Sequence, residues 1–176
     1  MYPFIRMAYH MAKYRKAPAL PIDGVHISHH ICWPVDLDLW RELNNGRTLT
    51  IYDLGRIQLA RRIGLLKALK AQGWSMTIAG VTARYRKRVV MFDHFEMRSK
   101  ALGHDGRFLY LQQSMWKDGT ALSSAVFRVA VVGPNGIVAT DEVAGAMGAA
   151  GWIPDMPGWV QSWISVENQR VWPPET

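Results

Sequence analysis

Asp36 and Asp38, followed at a short distance by Asn44, Asn45 and Gly46, are the residues of this chain whose types and spacing best suit chemistry. In an extended segment side chains alternate, so both carboxylates would share one face, while Asn44, Asn45 and Gly46 supply the polar start of a helix. The unpaired amides and positive dipole end of such a terminus stabilise negative charge growing on a carbonyl oxygen. A carboxylate beside it would attack that carbonyl or activate a water. Asp36 on the same face would raise the pKa of Asp38 by like-charge repulsion, or would serve as a solvated neighbour or a capping group. Asp53 is a second candidate acid, and its competing reading is an ion pair with Arg56 one helical turn further on.

The run Arg84, Arg86, Lys87 and Arg88 is the strongest charge feature. On a strand, Arg84, Arg86 and Arg88 would lie on one face and Tyr85 and Lys87 on the other, suited either to binding phosphates through charge-assisted hydrogen bonds or to protecting an edge strand from aggregation. Nucleic acid would call for a longer basic track with exposed aromatics. Other constellations carry less. His26 and His30 would share a strand face about 13 Å apart, too far for one zinc ion, with His29 pointing away, so a strand surface accounts for them and no metal site is expected. Ser123 and Ser124 lack a G-x-S-x-G context, the glycines lack a phosphate-loop or dinucleotide spacing, and Asp105-Gly106 and Asp118-Gly119 read as turns rather than calcium ligands.

These residues need elements to place them. The spacing of Leu49, Tyr52, Leu54, Ile57, Ala60, Ile63 and Leu66 predicts a helix from Gly46 to Gln72, and such a helix would run about 40 Å with Gly64 the natural place for a break. A strand is expected over Val25 to Val35, and a β-rich stretch after Gly73: Ser75 to Val90, His94 to Leu102, Arg107 to Trp116, Ala121 to Val132 and Ile137 to Val143. The turns His104-Asp105-Gly106, Lys117-Asp118-Gly119 and Gly133-Pro134-Asn135-Gly136 predict antiparallel hairpin neighbours. One strand, one long helix and an antiparallel meander describe an α+β domain whose sheet wraps around the helix.

The segment VDLDLWRELNNGRTLTIYDLGR resembles the signature of the hotdog-fold thioesterases of the 4-hydroxybenzoyl-CoA thioesterase superfamily, roughly D-x-D-x-x-G-H-V-N-N-x-x-Y-x-x-x-x-E-x-x-R. Asp38, Asn44, Asn45, Asp53 and Arg56 fall on its second acid, two asparagines, helix acid and arginine, whereas Arg41, Glu42 and Thr48 stand where the family has Gly, His and Tyr. The later stretch from Arg84 through Val138, with Tyr85, Arg86 and Gly119 as its distinctive points, is similar to thioesterase-like proteins of the thioesterase superfamily member six type. The resemblance runs roughly from His26 to Val143 and implies a hotdog fold, an antiparallel sheet around a long central helix, acting as a homodimer or higher even oligomer. It implies hydrolysis of an acyl thioester carried by coenzyme A or acyl carrier protein, with no further cofactor. Asp38 would be nucleophile or general base, the amides near Asn45 and Gly46 would polarise the carbonyl, Asn44 would order the loop, and Arg84, Arg86 and Arg88 would hold the CoA phosphates. The departures at Arg41, Glu42 and Thr48 suit a second reading, a non-catalytic module binding an acyl ligand or a protein; a basic nucleic-acid or membrane-surface binder is a third.

Length and charge bound these readings. With 176 residues, 49% of them hydrophobic, the chain forms one domain of ordinary size, and a net charge of +7 attracts anionic partners. The lone Cys32 excludes an intrachain disulfide and fits a reducing, cytoplasmic compartment. Residues 1–24 read as a basic arm, in which 1–16 would form an amphipathic helix with Phe4, Ile5, Ala8 and Met11 on one side and Arg6, His10, Lys13 and Lys16 on the other. Such a helix suits a peripheral membrane surface or packing on its own domain. The hotdog domain is expected over 25–148, and 149–176 as an extension whose helix over Pro157 to Arg170 carries Trp159, Val160, Trp163 and Ile164 to cover core or a dimer surface, with Pro173-Pro174 ending it.

Overall fold

Helical periodicity resolves into two helices, α2 over Asn45–Arg62 and α3 over Leu65–Gln72, separated at Gly64 with φ 86°. That left-handed conformation is one a side chain resists, so the break falls where glycine permits it. The computed structural model describes residues 2–174. Before α2 come α1 (Phe4–Lys13) and β1 (His26–Ile31); after α3 come β2 (Ser75–Tyr85), β3 (His94–His104), β4 (Leu109–Lys117), β5 (Thr120–Gly133), the short β6 (Gly136–Ile137), α4 (Thr140–Ala146) and α5 (Gly158–Gln169).

All the pairings are antiparallel, and the sheet runs β1-β3-β4-β5-β2 with β6 beside β5. The expected hairpins β3–β4, β4–β5 and β5–β6 form across their glycine turns. The meander does not extend to β2: instead of pairing with β3 it crosses to the far edge against β5, and the tight turn at Val90–Asp93 lies within the connection 86–93 without bringing the two strands together as a hairpin. Three expected strand ends also shift. β1 stops at Ile31, and Pro34 opens a 3-10 turn over Pro34–Asp36, since proline preorganises a helical first residue. β2 ends at Tyr85. The strand expected over Ile137 to Val143 is only Gly136–Ile137, followed by α4, whose first turn carries Asp141 and Glu142 at the end of the dipole that favours acids.

The concave face of the sheet holds α2. Ile51, Tyr52, Leu54 and Leu59 pack with Met97, Leu111, Met115, Phe127 and Val129 in one core, the hotdog arrangement. Gly55 sets the distance of approach: a β-carbon there would meet Met97 Sδ at 2.4 Å and Ser99 Oγ at 2.8 Å. On the convex face, Val160 and Ile164 of α5 seal a second core with Leu102, Phe108, Tyr110, Val126 and Ala130, as the C-terminal pattern implied. Cys32, beside the end of β1, is fully buried, and burial, reinforced by Asp36 and Asp93, pushes its thiol pKa up to about 11.

The arm packs on its own domain by a mixed face of Arg6, Met7, His10 and Met11. Arg6 reaches Asp36, Gln58 Nε2 donates to Met11 Sδ at 3.1 Å, and the His10 ring stacks on that of His30 with centroids 4.4 Å apart, while Phe4 and Ile5 point outward at 71% and 88% exposure. Met11 therefore faces the domain rather than joining Phe4 and Ile5. His26 and His30 do share a strand face, yet they are buried beneath α1 and Tyr14 rather than forming a strand surface. Among the described residues His10 Nδ1, His26 Nε2 and His30 Nδ1 are buried without a hydrogen-bond partner. Burial, with Lys13 and Arg6 nearby, lowers the His10 pKa to about 4; burial, with Arg62, does the same for His26; His30 is held well below its ordinary value.

Two outcomes follow from this packing. Gly55→Ala gains helix propensity but overpacks the helix–sheet contact, and should cost about 2 kcal/mol in urea unfolding; an unchanged midpoint would show that the helix shifts freely. The three histidines titrate lower when folded than when unfolded, so their contribution is fully present above about pH 6.5 and is lost as pH falls toward 4. Unfolding free energy should drop by up to about 1.4 kcal/mol per pH unit for each histidine, and replacing His10 by Phe should flatten that slope in melts between pH 7 and 4.

Candidate active site

The loop between β1 and α2 is built on Asp36. Its side chain is buried and takes Arg6 Nη1 at 2.6 Å, Arg47 Nε at 2.8 Å and the Trp33 amide at 3.0 Å, and its carbonyl accepts the Asn44 amide at 3.0 Å. Two guanidiniums pair with the carboxylate and an amide donates to it, which fixes α1, the 3-10 turn and the start of α2 together. Asp36 and Asp38 do not share an exposed strand face, because the Pro34–Asp36 turn swings Asp36 inward. Asp38 Oδ1 accepts the amides of Trp40 at 2.8 Å and Glu42 at 3.3 Å, closing its own loop. Arg41, at the family's glycine position, holds φ 58°. The backbone keeps the left-handed conformation, at a strain of about 1 kcal/mol that glycine would not incur.

Asn44 caps α2, its side chain accepting the Arg47 amide at 3.0 Å. The next amides, at Asn45 and Gly46, are in the first turn and have no carbonyl to meet within the helix. Asn45 lies on the wall of a cavity of about 250 Å³, with Glu42, Thr48, Tyr85, Ser123 and the cations Arg86, Lys87 and Arg88 around it. Glu42 pairs with Arg88 at 3.0 Å. The Tyr52 hydroxyl lies 3.0 Å from Ser123 Oγ, and burial raises its pKa, so it stays protonated as a neutral hydrogen-bonding group.

Several sequence expectations separate here. Asn45 and the basic run come together; Asp38 sits one loop away, outside the lining. Arg84 parts from Arg86 and Arg88: the amides of Arg86 and Lys87 both donate to the Leu122 carbonyl, so the alternation breaks after Tyr85, and Lys87 joins the cavity while Arg84 faces the other side of the sheet. Asp53 makes the ion pair with Arg56. Arg56 is buried, donates to Gln113 Oε1 at 3.0 Å and lies 4.1 Å over the Phe127 ring; burial lowers its pKa to about 10. The pair belongs to a polar network inside the core, since Gln113 Nε2 in turn donates to Ser99 Oγ and the Tyr52 carbonyl, each at 2.8 Å. Sequence reasoning missed Glu42, Ser123 and Tyr52. For Glu42 the signal was its place within the motif; for Ser123 only its pairing opposite Tyr85 across β2 and β5 reveals it. Among the described residues no three His, Cys, Asp or Glu side chains are placed to hold a metal.

Asp36→Asn would leave two arginines around an uncharged amide and should destabilise the fold by about 3 kcal/mol. Asp38→Asn keeps an oxygen for the Trp40 and Glu42 amides and should shift the melting midpoint little. Equal losses in the two variants would remove Asp36 from its place at the centre of the loop.

Comparisons with known proteins agree with this geometry. The thioesterase-like superfamily matches residues 32–164. Protein THEM6 of Xenopus laevis is 35% identical over 111 residues, covering 62% of this chain and 54% of that protein. The chain spans about half the length of the named relatives it matches. Among solved structures, the probable thioesterase YbaW from Escherichia coli superposes with a TM-score of 0.64 at 16% identity, covering 70% of this chain and 96% of that one. A Staphylococcus aureus protein in complex with CoA does so with a TM-score of 0.58 at 13% identity, covering 80% and 94%. These structures share the fold with the chain. With its wrapped helix, its capped helix start and a family match over most of its length, the chain belongs to the thioesterase-like superfamily.

Proposed function

We propose that the chain hydrolyses an acyl thioester of coenzyme A. The observation that carries this reading is the cavity at the start of α2, where the wall bearing Asn45 meets Arg86, Lys87 and Arg88. The first-turn amides of Asn45 and Gly46 would stabilise the oxyanion, the cations would hold the phosphates, and Asp38 would act as nucleophile or base. Attack by the Asp38 carboxylate would give an anhydride that water then cleaves; as a base it would take the proton from water as that water attacks. Either route ends in free acid and thiol. Glu42 supports a variant of the same chemistry, being the carboxylate on the cavity wall itself. A Staphylococcus aureus protein of this fold has been solved with CoA, which favours CoA over acyl carrier protein as the carrier.

A second reading, binding of an acyl ligand without turnover, is favoured by one observation: Asp38 Oδ1 is already engaged by two amides of its own loop. Release of thiol from a panel of acyl-CoAs separates the two. Hydrolysis is expected, with Asp38→Asn reducing turnover at least about a hundredfold and Asp53→Asn leaving it near wild type. Loss with Glu42→Gln alone would move the base to the cavity wall, and tight acyl-CoA binding without thiol release would establish the second reading. Replacing Arg86 by Ala should raise KM more than it lowers kcat, because a remote phosphate is held alike in ground and transition states.

The assembly proposed is a homodimer joined along β2. This edge strand is mostly exposed, Ile78, Val81 and Tyr85 among its residues, and among the described residues has no strand beyond it, which leaves backbone groups free to pair. Light scattering should give twice 20.0 kDa or an even multiple, and a fully active monomer would exclude a shared site. The outward Phe4, Ile5 and Tyr9 of α1 support peripheral contact with a membrane. Among the described residues no helix is long and apolar enough to cross one. The compartment proposed is the cytoplasm.

A further inference from the structure

Beyond the cavity at the start of α2, the opposite face of the sheet carries a second one of about 470 Å³, between β2, β4, β5 and α5. Its floor is set by register. Arg84 lies opposite Ser124, and Thr82 and Gln112 flank Val126 from either side, so a guanidinium, two hydroxyls and an amide face the same space. None of these four side chains makes a hydrogen bond or ion pair among the described residues, although they sit beside one another. The wall is Trp159 and Trp163 of α5. It is held firmly: Val160 and Ile164 are buried in the outer core, Trp163 meets Tyr110 edge to face with centroids 6.0 Å apart, and Arg128 donates to Asn168 at 2.5 Å. Trp159 is anchored by its helix yet remains 54% exposed toward solvent.

We propose that this cavity is a binding site for a planar aromatic carboxylate. An indole wall suits a flat ring, because aromatic pairs gain from stacked or edge-to-face contact. One guanidinium with neutral hydroxyl and amide neighbours suits a carboxylate, which it grips through two parallel hydrogen bonds. The polyphosphate of a nucleotide would call for more positive charge, and among the described residues Arg84 is the only cation in the lining. Arg84 and Tyr85 project from opposite faces of β2, Tyr85 into the first cavity and Arg84 into this one. The two sites are separated by the sheet, so occupancy of one leaves the other open.

Calorimetric titration of the full chain with 2-naphthoate tests the site. Saturable binding with one molecule per chain is expected, weakened about tenfold or more by Arg84→Met, the usual scale for losing a charge-assisted hydrogen bond. Trp159→Ala, at an exposed position that does not hold α5 down, should weaken it as well, and saturating CoA should leave it unchanged. The proposal is overturned if no saturable binding appears up to millimolar naphthoate, or if wild type and Arg84→Met bind alike. It is overturned too if naphthoate is displaced by adenosine 3′,5′-bisphosphate, the nucleotide end of CoA, which would make this a nucleotide site. These results do not depend on thioester turnover, so the site stands or falls apart from the proposed hydrolysis.

Discussion

The structure depends on a buried carboxylate that is never left alone. Asp36 gathers Arg6 from the arm, Arg47 from the first turn of α2 and the amide of Trp33, while its carbonyl holds the residue that caps α2. A charge at this depth is costly unless paired, and here two guanidiniums pair it. The consequence is geometric. The arm, the loop and the helix start are tied to one another, so Asn45, on the cavity wall, is held in place by contacts made on the far side of its loop. The residue that looked most like a reacting carboxylate is the one that ties the loop to the helix start.

The second constraint is the close approach of α2 to the sheet. Gly55 lets the helix settle onto Met97 and Ser99, and the polar groups trapped by that contact satisfy one another: Arg56 through Asp53 and Gln113, Gln113 through Ser99 and the Tyr52 carbonyl. Because the network is closed, the helix can be polar at its centre and still be buried.

What could be read from the sequence was what short-range chemistry decides. Gly64 broke the long helix, glycine turns set three hairpins, and the polar run Asn44-Asn45-Gly46 marked the helix start to within a residue, because each depends on residues within a few positions of one another. What could not be read was decided by distant partners. Nothing near β2 says that it will pair with β5 at the far edge rather than with β3. The arm turns Arg6 and His10 inward because Asp36 and His30 wait there, overriding an apolar stripe that pointed to Phe4, Ile5 and Met11. Alternation alone puts Arg84 and Arg86 on one face, and a double hydrogen bond to the Leu122 carbonyl divides them between two cavities.

Cys32 illustrates how such packing creates a chemical property. It is the chain's single cysteine, closed off between β1 and the segment before β3, where its carbonyl accepts the Phe92 amide and its own amide donates to Asp93. Nucleophilic sulfur is thiolate, and both the raised pKa and the lack of access keep this sulfur inert while the fold is closed. Alkylating reagents will meet it only in molecules that have opened, so at reagent concentrations where alkylation outpaces reclosing the rate of labelling is the rate of opening. The protein carries its own clock for the separation of β1 from its neighbour, with no probe to be introduced.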